Sequence, residues 1–104
     1  MPKQKYDVLV DPDADAKMQK HIRFLSQVSI PAAERLYNEL SNAIIALEDS
    51  PEKYPIYHPI VPIDAELRFM MCTDRYRIVF EIIGSAVFVY DIQDCRQDLD
   101  KNLI

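Results

Sequence analysis

Leu67-Arg68-Phe69-Met70-Met71-Cys72-Thr73-Asp74-Arg75-Tyr76-Arg77-Ile78-Val79-Phe80-Glu81-Ile82-Ile83-Gly84-Ser85-Ala86-Val87-Phe88-Val89-Tyr90-Asp91-Ile92 is the stretch that decides the fold. Three runs rich in β-branched and aromatic residues predict strands over 67–72, 76–83 and 86–92. Asp74-Arg75 and Gly84-Ser85 are the predicted turns. Gly84 is the one glycine in the chain, and it falls where a tight hairpin most needs a positive φ.

Two-residue turns fix a register. Ile83 pairs with Ala86, and hence Phe80 with Val89. Thr73 pairs with Tyr76, and hence Arg68 with Glu81. One face then carries Leu67, Phe69, Met71, Ile78, Phe80, Ile82, Val87 and Val89, and this is the predicted core. The other carries Arg68, Met70, Cys72, Arg77, Val79, Glu81, Phe88, Tyr90 and Ile92. A slip of one residue exchanges the faces. The second face is more apolar than a solvated one requires. An apolar patch rimmed by charge suggests a partner surface, with Arg68, Met70, Val79, Phe88 and Tyr90 as its binding residues.

Upstream, Tyr6-Asp7-Val8-Leu9-Val10 reads as a short strand. Asp11-Pro12 is an N-cap followed by proline at the first helical position, and Asp13 and Asp15 suit the helix dipole. Ala14, Met18, Ile22 and Leu25 predict an amphipathic helix over 12–27. A second helix restarts at Ser29-Ile30-Pro31. It is marked by Ala33, Leu36, Leu40, Ala43, Ile44 and Leu47, and ends at Asp49-Ser50-Pro51. The short link between them predicts an antiparallel helical hairpin. Residues 51–65 hold Pro51, Pro55, Pro59 and Pro62 among Tyr54, Ile56, Tyr57, Ile60 and Val61, a stiff extended loop. The expected architecture is α+β: N-terminal strand, helical hairpin, then a three-stranded antiparallel meander in one domain over 1–104.

Twelve basic residues against 17 acidic ones give a net charge of -5, which disfavours a protein that holds nucleic acid by bulk charge. No apolar run reaches the ~20 residues of a membrane span, so no membrane partner is expected. Met1-Pro2-Lys3-Gln4-Lys5 has no secretory pattern, and a cytoplasmic protein is expected. Cys72 and Cys95 match no zinc or redox spacing and are expected as reduced thiols. No phosphate loop, metal cluster or serine triad appears, so no cofactor and no metal are expected.

Motifs in order along the chain then narrow the field. Pro31-Ala32-Ala33-Glu34-Arg35-Leu36, with Ile44, Leu47 and the following Pro51, resembles the second helix of ParE-like toxins. Leu67-Arg68 followed by Tyr76-Arg77-Ile78-Val79-Phe80 is similar to that family's central strands. Val87 to Ile92 followed by Asp94-Cys95-Arg96-Gln97-Asp98 resembles its last strand and tail. Pro51-Glu52-Lys53-Tyr54-Pro55 looks like the subgroup described as plasmid stabilization proteins. The chain thus resembles the RelE/ParE superfamily of toxin–antitoxin toxins over nearly its whole length. The resemblance implies a cognate antitoxin, and a target that is DNA gyrase for ParE-like members or ribosome-bound messenger RNA for RelE-like ones. A homodimer in the antitoxin's absence and a peptide-binding module without toxicity are the other readings.

RNA cleavage through a 2′-hydroxyl needs a base, an acid and positive charge on the phosphate. Arg77 and Arg96 match positions where RelE-like nucleases carry functional arginines, and they are the catalytic candidates. Arg77 would stabilise the phosphorane, and Arg96 would help donate a proton or clamp a phosphate. Each also has a structural reading. Arg77 would shield an aromatic neighbour such as Tyr90, Arg96 would pair with Asp94 or Asp98, and Arg68 would pair with Glu81. The sequence departs from the nuclease pattern: no basic residue lies between Lys53 and Arg68, and the tail Asp98-Leu99-Asp100-Lys101-Asn102-Leu103-Ile104 has no tyrosine. Gln93-Asp94-Cys95 stands where a histidine precedes the tail arginine. His58, beside Tyr57, reads as a solvated loop residue. His21, between Lys20 and Arg23 on the first helix, reads as surface. ParE-like action or loss of activity fits the acidic balance better than RNA cleavage.

Overall fold

Asp11 starts the first helix as its sequence predicts: its carboxylate accepts the backbone N–H of Asp13 at 2.8 Å, and Pro12 opens the first turn. The computed structural model describes residues 5–96. Strand β1 (Asp7–Val10) precedes helix α1 (Pro12–Ser26). Helix α2 (Ile30–Ala46) starts at Ser29, whose hydroxyl accepts from the N–H of Ala32 at 3.2 Å. A single 3-10 turn at Pro51–Lys53 leads into β2 (Ile56–Tyr57), β3 (Leu67–Cys72), β4 (Tyr76–Ile83) and β5 (Ala86–Asp94). The sheet order is β1-β5-β4-β3-β2. Only the β1–β5 pair is parallel.

The helical hairpin and the meander lie where the periodicity places them. β5 runs on to Asp94, past the expected 92. The proline-rich loop gives the sheet a fifth strand, because Ile56 and Tyr57 pair with Arg68 and Leu67.

The core lies between the hairpin and one sheet face. Ala14 and Met18 from α1, and Leu36 and Leu40 from α2, pack with Leu47 on Met70, Ile78, Phe80, Val87, Val89 and Ile92. Burying each large apolar side chain contributes about 1.5–3 kcal/mol, so this layer outweighs the helix caps, at roughly 1 kcal/mol each. A smaller cluster of Tyr57, Leu67 and Val79 lies on the opposite face, with Ala65, Phe69 and Tyr90 against it.

The expected register needs two corrections. Gly84 has φ 59°, and Ile83 pairs with Ala86 and Phe80 with Val89, as predicted. The other hairpin is shifted by one. Thr73 and Asp74 take φ of 59° and 62°, Arg75 joins the turn, and Cys72 pairs with Tyr76. Arg68 therefore opposes Phe80, not Glu81. All of β3 is turned over: Arg68, Met70 and Cys72 share the helix-covered side, and Leu67, Phe69 and Met71 the open one. The second correction is a bulge in β5. Val79 pairs with Asp91 while Phe80 pairs with Val89, which leaves Tyr90 as the extra residue. The bulge puts both Val89 and Ile92 in the core and turns Asp91 and Gln93 away from it. Without it, two polar groups would point under the helices and Ile92 would point outward.

His21 is also corrected. It is 9% exposed, with its ring against Tyr76 at 5.4 Å and its Nε2 3.2 Å from the Ile92 carbonyl. It falls on the same helical stripe as Ala14 and Met18, and that spacing outweighs its charged neighbours in sequence.

Candidate functional site

The helices cover one side of the sheet, so the other side is where a partner can meet the strands. Leu9, Phe88, Tyr90, Glu81 and Ile83 lie on this open face, by the pairings Leu9 with Phe88 and Glu81 with Phe88. Leu9 and Ile83 are more than half exposed, and Phe88 and Tyr90 are partly exposed. The Phe88 and Tyr90 rings lie 5.0 Å apart. The Tyr90 hydroxyl donates to Glu81 Oε1 at 2.7 Å, and this hydrogen bond, ahead of burial, pushes its pKa up to about 12. Of the five binding residues expected from sequence, Phe88 and Tyr90 are on the surface here and Val79 is the fully buried floor. Arg68 and Met70 are not on this face, because of the shifted turn. Arg68 donates to the Tyr54 carbonyl at 2.6 Å and to Glu66 at 3.0 Å, and Met70 is buried in the core.

Arg77 sits further along the open face and is tied down. Its Nη1 donates to Gln93 Oε1 at 3.0 Å, and its guanidinium lies 5.3 Å from the Tyr57 ring and 5.7 Å from that of Phe69. Gln93 is 1% exposed and donates in turn to the Tyr57 hydroxyl at 3.2 Å and to Asp91 Oδ2 at 3.1 Å. Asp91 Oδ1 accepts from Lys17 Nζ at 3.0 Å and from the Ile92 N–H at 2.9 Å. Arg77 thus shields aromatic neighbours, Tyr57 and Phe69 in place of Tyr90.

Arg96 is elsewhere. It lines a groove of about 790 Å³ between α1 and the β4–β5 end, together with Lys17, Lys20, Phe24, Arg75 and Tyr76. Arg77 is not among the residues that line this groove. Asp94 holds the floor of this groove. It accepts two hydrogen bonds from Arg75, at 3.1 and 2.8 Å, and the backbone N–H of Arg96 at 3.0 Å. Burial alone would raise the Asp94 carboxyl, but the Arg75 and Arg96 hydrogen bonds and the Arg75 charge outweigh it and hold the group below its ordinary value. The same hydrogen bond raises Arg75. Burial pushes the Tyr76 phenol up, and pushes His21 down against the opposing pull of the Ile92 carbonyl and Asp94. The expected Arg96–Asp94 link is through the backbone. Asp98 lies outside the described residues.

Sequence reading did not select this groove. Its signal was present in α1, where Lys17, Lys20, His21 and Phe24 recur at helical spacing along one stripe. Arg75 falls in the predicted Asp74-Arg75 turn. His58 is exposed, as expected. Cys72 and Cys95 are not bonded to each other. Among the described residues there is no group of three or more potential metal ligands, and no helix is long and apolar enough to cross a membrane.

No curated protein matches the chain. One family model does, over residues 8–99: that of the ParE toxin of the type II toxin-antitoxin system, parDE. It takes in all but the first residue of β1, both helices and β2 to β5, and so agrees with the α+β architecture built up above. The chain belongs to the ParE toxin family of type II toxin–antitoxin systems.

Proposed function

We propose that this toxin acts in the cytoplasm by contact with a protein target, DNA gyrase being the target its family resemblance implies, and that its antitoxin neutralises it by lying over the open sheet face. The observation that carries this reading is the engagement of Arg77 away from the groove that Arg96 lines. Arg77 is committed to Gln93 and two aromatic rings on one side of the sheet. Arg96 lines the α1 groove, whose lining does not include Arg77. A phosphoryl-transfer site needs its cations free to contact one phosphate, and Arg77 is held by its own neighbours. The open face suits contact instead: two aromatic rings, two exposed aliphatic side chains and one carboxylate on a rigid sheet.

Phe88→Glu tests the interface. Val79 does not suit this purpose, because a charge in its fully buried position would attack the fold. The expected result is growth arrest and gyrase inhibition by the wild-type chain. The Phe88→Glu variant should melt normally and bind the cognate antitoxin at least about tenfold more weakly. Antitoxin affinity unchanged in Phe88→Glu would remove the open face from the interface. Absence of both growth arrest and gyrase inhibition would make the chain an inactive descendant of the family.

A further inference from the structure

The sheet ends on β1 at one side and on β2 at the other. An edge strand turns a row of backbone groups toward solvent. β2 is two residues long and stands between Pro55 and Pro59, which cannot donate to a ladder. β1 is longer and holds no proline. The N–H groups of Asp7 and Asp11 donate to the Ser85 and Val89 carbonyls. By alternation, the odd-numbered residues of β1 face β5, and Val8 and Val10 turn their N–H and C=O outward. Among the described residues, no backbone group meets these outward groups of Val8 and Val10. On that side Tyr6 alone is engaged, its N–H donating to the Glu48 carbonyl at 3.0 Å. The edge reads Lys5-Tyr6-Asp7-Val8-Leu9-Val10-Asp11, basic at its start and acidic at its end.

We propose that β1 pairs antiparallel with β1 of a second copy of this chain, Val8 opposite Val8, and so joins two sheets edge to edge. In this register each Val8 N–H donates to the Val8 carbonyl of the second copy. Each Val10 N–H donates to the Tyr6 carbonyl, which the contact to Glu48 leaves open. Lys5 then stands opposite Asp11 at both ends. The neighbouring register that uses the same outward groups sets Val8 opposite Val10 and Leu9 opposite Leu9. It also sets Asp7 opposite Asp11 at both ends, and like charges directly opposed are destabilising, whereas opposite charges attract. Charge therefore selects the register centred on Val8. Both charged groups are available for it. Lys5 is 66% exposed, and its contact to Glu48 Oε2, at 3.8 Å, is a surface pair of little strength. Asp11 gives Oδ1 to the Asp13 N–H and keeps its other oxygen. Tyr6, Val8 and Val10 pack against the core, so the pairing continues that layer from one copy to the next. The inference does not depend on what the toxin acts on.

The test is the oligomeric state of the full chain by sedimentation equilibrium. The wild type is expected to pass reversibly from monomer to dimer as concentration rises. Lys5→Asp should raise the dissociation constant about tenfold or more, with the secondary structure of the monomer unchanged by circular dichroism. Lys53→Asp, away from β1, should leave it as it is. Cysteine trapping reads the register, with the exposed Cys95 replaced by serine. In the proposed register Asp7 of one copy stands directly opposite Leu9 of the other as a non-hydrogen-bonded pair. Their Cα atoms are then about 4.5 Å apart, within disulfide reach. Asp7→Cys combined with Leu9→Cys should therefore give a covalent dimer under mild oxidation, and Leu9→Cys alone should not. A monomer at every concentration up to about 1 mM, the weak end of specific association, overturns the proposal. So does a dimer untouched by Lys5→Asp, or efficient cross-linking by Leu9→Cys alone. A chain that stays monomeric, and whose Val8 and Val10 amides gain hydrogen-exchange protection only when the cognate antitoxin is added, gives the edge to the antitoxin and overturns it as well.

Discussion

His21 shows how one side chain couples the α1 groove to stability. Its ring is buried between α1 and the end of β5, with Asp94, Lys17 and Arg75 as the charges around it. Desolvation lowers its pKa from 6.5; Lys17 and Arg75 add to the lowering, and the Ile92 carbonyl and Asp94 oppose it. In the unfolded chain the imidazole takes up a proton near its ordinary value, while the folded chain keeps it neutral to a lower pH. The resulting stability is present above about 6.5 and is lost as pH falls from there through the folded value. The urea midpoint should therefore drop between about pH 7.5 and about pH 5.5. His21→Gln keeps an N–H for the Ile92 carbonyl without a titration, and should flatten that drop. A wild-type midpoint that rises on acidification would mean that attraction to Asp94 overcomes burial. The loss due to Asp94 itself lies below its ordinary value of 3.8, outside this window. The burial of His21 was legible in its helical spacing with Ala14 and Met18, but Lys20 and Arg23 beside it pointed to the surface. The tie between Arg77 and Gln93 was not legible, since it depends on a bulge that no residue type announces.

Strand boundaries are legible because a β-strand needs only local alternation and a turn at each end. Register depends on which residues adopt the turn conformation, and here the two hairpins differ. Gly84 marks its turn unambiguously. Thr73-Asp74-Arg75 does not: aspartate tolerates positive φ, but a β-branched residue does so at a cost. Thr73 nevertheless sits at φ 59°, and that choice turns β3 over and takes Arg68 and Met70 from the open face. The strain is testable. Thr73 is exposed, and asparagine accepts the left-handed region more readily, so Thr73→Asn should stabilise the chain by about 1 kcal/mol. Urea unfolding measures it directly. A loss of stability would show that the threonine side chain holds the turn in some way that outweighs its backbone strain.

The molecule as a whole presents two contrasting surfaces. The side away from the helices is apolar and open, and the groove beside α1 is cationic. The family was legible from the order of its motifs, because helix period, proline stops and strand pattern all point to one arrangement. The cationic groove was not, because net charge hides a local basic cluster and sequence spacing does not tell which neighbours hold an arginine. Arg77 is tied to Gln93 and two aromatic rings and does not line the groove of Arg96, and this argues for a toxin that works by contact. The most direct measurement is messenger RNA cleavage on programmed ribosomes by the purified wild-type chain, with Arg77→Ala and Arg96→Ala alongside. The engagement of Arg77 by Gln93, Tyr57 and Phe69 predicts intact transcripts in all three reactions. Efficient cutting by the wild type, abolished in both variants at unchanged stability, would contradict that placement of function and make the chain a nuclease.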